Sequence, residues 1–186
     1  MAVLVGRNWR LDTDEGRLDF QDYFVRCRAE PTVRTLCYEG ADVATASPAA
    51  LSALTDPALA VVIVCPSNPW LSIAPLLAIP MLADAVRASG RPVVAVSPLI
   101  AGRAVKGPTA KLMAELGFSV DVTSVARFYG DLVTGHVLDD SHAHEAEAIR
   151  AGAQLEVAPT LMTDLASKTE LARRVLAFAA TAVRRG

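Results

Sequence analysis

No glycine stands between Cys65 and Gly90. Neither familiar glycine phosphate loop, GxGxxG or GxxxxGK(S/T), therefore follows the first strongly apolar strand, and any phosphate cradle there is of another type. Cysteine is scarce: Cys27, Cys37 and Cys65, an odd number with no CxxC, argue against a disulfide scaffold. Cys65 ends an apolar strand and reads as a buried small hydrophobe. Long hydrophobic runs are missing, although 52% of the residues are hydrophobic. None approaches the ~20 apolar residues that cross a bilayer, because Pro66, Pro69, Pro75 and Pro80 interrupt the longest stretches. The apolar part of Met1–Arg10 is too short for a signal peptide, so the expected location is the cytoplasm, with no membrane partner. Net charge is −2, without the basic footprint of a nucleic-acid binder. There are no repeats, low-complexity tracts or linkers, and 186 residues fit one domain, 1–186, with a substantial core.

The chain is organised around residues 59–80. Leu59-Ala-Val-Val-Ile-Val-Cys65 is apolar without alternation, the pattern of a central parallel strand covered on both faces. Pro66-Ser67-Asn68-Pro69 is a polar turn, and a helix over 72–88 follows, with Ser72 as candidate N-cap and Gly90 as its stop. Arg91-Pro92-Val-Val-Ala-Val-Ser97 is a second buried strand. Two parallel strands joined by a helix place the turns at Ser67-Asn68 and Ser97-Pro98 on one carboxyl edge, where α/β proteins bind anionic ligands.

Around this unit, residues 1–18 read as a loop or edge strand, whose acidic groups suit either solvent or a cation. Residues 19–29 read as a helix with Phe20, Tyr23, Phe24 and Cys27 on one face. Thr32–Tyr38 alternates as a strand, and Ser47-Pro48 starts a short helix through Leu54. Residues 98–107 read as a loop, and Pro108 opens a helix through Leu116. Lys106 and Gly107 then lie beside a helix N-terminus, a cation and free N–H groups suited to phosphate. Arg127, Tyr129 and Asp131 form a compact polar set. Gly135–Asp139 and Gln154–Ala158 read as strands, and His142–Ala151 and Lys168–Arg184 as helices. The last carries an apolar stripe of Leu171, Val175, Leu176, Ala179 and Val183. His142 and His144 fit a solvated helix start better than a metal site, so no metal ligand is assigned in this chain.

Several motifs occur in one order: Thr13-Asp14-Glu15-Gly16, Phe20-Gln21-Asp22-Tyr23-Phe24-Val25, Cys65-Pro66-Ser67-Asn68-Pro69 with Ser72-Ile73 and Pro75, Ser97-Pro98, and Lys106-Gly107-Pro108. Ala126-Arg127 with Tyr129-Gly130-Asp131, and Thr160-Leu161-Met162, complete the series. Together they resemble the later part of the 2-phospho-L-lactate transferase (CofD) family of coenzyme F-420 biosynthesis. The resemblance implies a Rossmann-like α/β fold, a parallel sheet with helices on both faces, lacking the family's N-terminal βα units. It implies a transferase that moves a phospholactate or phosphoenolpyruvate unit from a guanylyl-diphospho donor to the deazaflavin Fo. GMP leaves and Mg2+ assists, with the metal ligands expected in the absent front half.

For this chain it implies that Ser67, Asn68, Ser97 and Gly107 face the donor's nucleotide and diphosphate, as GDP would probe. Lys106 neutralises charge on the leaving phosphate, and Arg127 or Tyr129, with Asp131 beside them, orients a phosphoryl group. Phe128 stands where the family pattern has histidine. Without a front half the site is incomplete, so the expected partners are a separate N-terminal half or further copies of the chain. A non-catalytic nucleotide-binding or assembly remnant is the other reading that the resemblance leaves open.

Overall fold

The computed structural model describes residues 9–104, 107–145, 149 and 153–183, which divide into two units. One comprises the chain up to Pro57 with Asn68–Ser89 and Pro108–Ser119; the other comprises Ala58–Ser67, Gly90–Gly107 and the chain from Val120 onward.

The first unit is built on an antiparallel sheet of order β2-β1-β3, from β1 (Trp9–Thr13), β2 (Gly16–Asp19) and β3 (Val33–Tyr38). Residues 9–19 are thus a hairpin, and β1 is the middle strand rather than a loop or edge. Charges disguise its alternation: Leu11 and Thr13 are buried. Arg10 and Asp12 alternate with them and pair across the sheet, Arg10 with Asp19 and Glu39, and Asp12 with Arg17 at 3.1 Å. Asp14 accepts the Thr32 amide at 2.8 Å. Asp12 and Asp14 thus already have protein partners.

The expected helix over 19–29 shrinks to Asp22–Arg26, in which only Tyr23 is buried while Phe24 is exposed. Helix α1 (Pro48–Leu54) keeps Pro48 at its first turn, but the Ser47 side chain makes no cap. The single helix expected over 72–88 is broken. It begins with a π-helical turn, Pro69–Ile73, capped by Asn68 and not Ser72, runs on as α2 (Ala74–Leu77), and resumes as α3 (Pro80–Ala88). Pro80 explains the break: its ring pushes Ile79 out of helical space, to φ −83° and ψ 108°. Ala46, Ile79 and Leu82 form the core beneath these helices. Helix α4 (Thr109–Glu115) ties onto β3, where Glu115 accepts the Val33 amide at 3.0 Å.

The second unit is a parallel sheet of order β4-β5-β8-β9, from β4 (Val62–Val64), β5 (Val93–Val96), β8 (Gly135–Asp139) and β9 (Gln154–Ala158). β5 and β8 are buried along their whole length, as unbroken apolar runs between two covered faces should be. Among the described residues β4 is an edge strand, not the central strand its sequence suggests. It pairs with β5 alone among the described residues, Ile63 is 38% exposed, and Cys65 is exposed rather than buried. Between β5 and β8 lie a two-stranded hairpin, β6 (Leu99–Ile100) with β7 (Arg103–Ala104), in place of the expected loop, and α5 (Val122–Tyr129).

One sheet face is covered by α6 (Leu165–Val183), through Leu171, Val175, Phe178 and Ala179 on Val94, Val96, Val137 and Ala158. Phe178 replaces Leu176 in the expected stripe; Leu176 is 53% exposed, and the Val183 side chain lies outside the described set. On β8 the alternate face carries His136, and Tyr129 of α5 packs against it with ring centroids 6.3 Å apart. Helices therefore flank both faces, the Rossmann-like α/β arrangement that the motifs imply. Half of the expected helix over 142–151 lies outside the described residues; residues 142–145 belong instead to a 3-10 segment, Asp140–Glu145.

Candidate functional site

Because all four strands of the second unit run parallel, their carboxyl ends share one edge. Ser67 follows β4 there, Ser97 follows β5, Asp139 ends β8 and Thr160 follows β9. Ser97 is buried; its amide donates to the Val137 carbonyl at 2.9 Å, and its hydroxyl accepts the Leu99 amide at 3.2 Å. It is therefore a turn-former at the base of the β6–β7 hairpin. Gly107 has φ +74°, a left-handed conformation that a side chain would strain. Lys106, assigned beside it from sequence, lies outside the described residues.

Asp139 is the best-connected polar group on this edge. Its Oδ1 accepts from the Ser141 hydroxyl at 2.6 Å and the Ser141 amide at 3.1 Å. Its Oδ2 accepts from the Thr160 amide at 3.0 Å and the Thr160 hydroxyl at 3.1 Å. Burial alone would push this carboxyl up, but the four hydrogen bonds outweigh burial and hold it below the usual carboxylate range. With each oxygen accepting two hydrogen bonds, the group is an anchor joining the ends of β8 and β9. His142 stands beside it, 2% exposed, with Nδ1 2.7 Å from Glu145 and Nε2 accepting the Gly102 amide at 3.1 Å. Sequence reading missed this network. The signal was available: a polar cluster, Asp139-Asp-Ser-His142, follows a buried strand just as Pro66-Ser67 does.

Arg127, Tyr129 and Asp131 go elsewhere. They fall at the end of α5 and in the short turn Gly130–Leu132, which leads into the amino end of β8. Within this unit the topology separates them from the carboxyl edge by the length of that strand. Arg127 and Asp131 are exposed. Tyr129 is buried, and burial pushes its hydroxyl above the ordinary tyrosine range while pushing His136 down to about 4. Both rings are neutral at pH 7 and pack as apolar groups. Phe128, at the position where a histidine was expected, makes an edge contact with Tyr129 at 5.0 Å.

Asn68 belongs to the other unit, where it caps the helix of Pro69–Ile73. Its Oδ1 accepts the amides of Trp70 at 3.0 Å and Leu71 at 2.9 Å. That orientation leaves Nδ2 buried and without a hydrogen-bond acceptor among the described residues. A buried donor of this kind costs free energy until an acceptor arrives. No three His, Cys, Asp or Glu converge on a metal position among the described residues. No single described helix is long and apolar enough to cross a membrane.

A family model described as 2-phospho-L-lactate transferase CofD matches residues 8–179. The chain is 36% identical over 174 residues to a phosphoenolpyruvate transferase of Kitasatospora aureofaciens, covering 91% of this chain and 54% of the relative. It is 32% identical over 169 residues to a phosphoenolpyruvate transferase of Mycolicibacterium smegmatis, covering 90% and 51%. A 2-phospho-L-lactate transferase of Methanosarcina mazei is 35% identical over 167 residues, covering 89% and 54%. The chain thus spans about half the length of the curated relatives it matches.

Proposed function

Since the chain belongs to the 2-phospho-L-lactate transferase (CofD) family, we propose that it carries the later part of a transferase acting in coenzyme F-420 biosynthesis. The reaction moves a phospholactate or phosphoenolpyruvate unit from a guanylyl-diphospho donor to Fo. The acceptor hydroxyl forms the new P–O bond and gives up its proton, the P–O bond of the diphosphate breaks, and GMP leaves. Mg2+ supplies charge neutralisation when bound, with ligands outside the described residues. The observation that carries this reading is the family match along residues 8–179.

In this reading Ser67, Ser97 and Gly107 mark the edge that receives the donor's nucleotide and diphosphate. Lys106 is the cation that offsets charge on the departing phosphate. Asn68 is a donor to a ligand oxygen, which its unpartnered Nδ2 supports. The location is the cytoplasm. Arg127 and Asp131 remain available to a ligand as exposed groups, whereas the buried Tyr129 fits packing better.

One observation favours a second element in the proposal. β4 offers an apolar strand, Val62-Ile-Val64, with one pairing edge unused among the described residues. A half-exposed apolar edge invites pairing with another strand. The relatives hold about as much sequence again as this chain covers. We assign that edge to the rest of the family fold, on a separate half if not on the same chain, with a second copy as the homo-oligomeric form. Alone, the chain then behaves as a nucleotide-binding or assembly module.

The experiment is isothermal titration of the purified chain with GDP and Mg2+, followed by Fo. Binding of GDP without Fo supports a donor half-site that awaits its acceptor half. Binding of neither refutes the nucleotide reading and leaves assembly, and binding of both refutes incompleteness.

A further inference from the structure

The turn joining β6 to β7 is held from outside. Its two residues, Ala101 and Gly102, both lie in the left-handed region, at φ +49° and +68°. That conformation matches the twist of a tight hairpin, but it usually takes Asn-Gly or Gly-Gly. An alanine there crowds its Cβ against the following carbonyl. Something beyond the two-residue strands must stabilise it. The amides of both residues point to the segment after β8: Ala101 donates to Ser141 Oγ at 2.7 Å and Gly102 to His142 Nε2 at 3.1 Å.

Each acceptor is itself oriented. The Ser141 hydroxyl donates to Asp139 at 2.6 Å, which turns its lone pair towards Ala101. A backbone N–H only donates, so Nε2 of His142 carries the lone pair and Nδ1 carries the proton, given to Glu145 at 2.7 Å. Ala101 and Gly102 are exposed, and water would satisfy their amides without help. A buried histidine, aligned by a carboxylate, constrains this turn where solvent would merely solvate it.

We propose that Ser141 and His142 are positioning residues that lock the Ala101–Gly102 turn and thereby fix the β6–β7 hairpin, which follows Ser97 at the carboxyl edge of the sheet. The ligand in this inference rests on the nucleotide reading above; the lock rests on the two hydrogen bonds.

Amide exchange at Ala101 and Gly102, read by NMR, and GDP titration are measured on the chain and its variants. Each lost bond is worth enough to speed its amide and weaken GDP by about tenfold. Ser141→Ala should do so through Ala101, and His142→Ala through Gly102. His142→Gln, whose amide oxygen reaches the place of Nε2, should keep both readouts near wild type. Unchanged exchange in both alanine variants overturns the lock, and faster exchange with unchanged GDP affinity overturns its positioning role. Should His142→Ala not fold, Ser141→Ala, at an exposed residue, decides through Ala101. A wild-type chain that binds no GDP defeats the nucleotide reading, and exchange alone then upholds or overturns the lock.

Discussion

Gly135 lies directly beneath the Phe178 ring, so close that a Cβ at residue 135 would stand 2.8 Å from Cε1 of that ring. The contact couples the first residue of β8 to the C-terminal part of α6 and sets how near the helix lies to the sheet. Gly135→Ala must push the ring out of a packed core, and overpacking of this kind costs about 1–3 kcal/mol. Urea unfolding should show the loss. Combining Gly135→Ala with Phe178→Leu should cost less than the sum of the two changes, because the smaller side chain vacates the space.

Asp139 makes stability depend on acid. Its folded pKa lies below its unfolded value, near 3.9 for an ordinary aspartate. Its contribution is therefore complete above that unfolded value and is lost as pH falls below it, through the folded value. Asp139→Asn puts an NH2 against groups that already donate, from Ser141 or Thr160, and should cost about 2–3 kcal/mol at pH 7. The variant should also lose less stability than wild type on going from pH 5 to pH 3. Parallel acid profiles would show that the network does not bind the carboxylate form.

Asn68 separates folding from binding. Asn68→Ala removes the cap from the Trp70 and Leu71 amides and should cost about 1 kcal/mol in thermal unfolding. Asn68→Asp keeps an accepting oxygen at the same place but exchanges the unpartnered donor for an acceptor. It should hold stability near wild type while weakening GDP by about tenfold or more, the scale of losing a hydrogen bond and gaining a repelling charge. Equal GDP affinity in the aspartate variant would remove Asn68 from the ligand's contacts.

Lys106→Ala should weaken GDP binding without altering the melting temperature, since the proposed partner of its charge is the ligand. The salt dependence of binding should flatten in the variant, because salt screens an ionic contact to the ligand. Unchanged affinity would remove Lys106 from the site.

Ile63→Lys tests the open edge of β4. A lysine on an edge strand blocks pairing with another strand. Sedimentation should find the wild-type chain self-associating, or joining a co-expressed front half of the family, and the variant doing neither. A wild-type chain that stays monomeric and ignores that half would end the assembly reading.

Local chemistry made much of this molecule legible beforehand. Gly135–Asp139 and Gln154–Ala158 are strands because short apolar runs bounded by turn residues have few alternatives, and Pro48 starts its helix because a fixed φ suits a first turn. The motif series carried the family for the same reason: motifs are contiguous. What depended on neighbours was not legible. An apolar strand looks the same whether it is paired on both edges or one, so β4 read as central although, among the described residues, β5 alone flanks it. Charges along Arg10–Asp12 hid a middle strand, because their partners, Asp19, Glu39 and Arg17, come from other parts of the hairpin and sheet. Asp139 and Thr160 lie 21 residues apart, and only the parallel pairing of β8 with β9 makes them one anchor. The sequence by itself determined the strands β3, β4, β5, β8 and β9 and the lineage, since each follows from adjacent residues. The tertiary structure decided which strand stands at the edge among the described residues, which carboxylate is an anchor and which amides His142 and Ser141 hold, because those depend on distances that spacing along the chain does not encode.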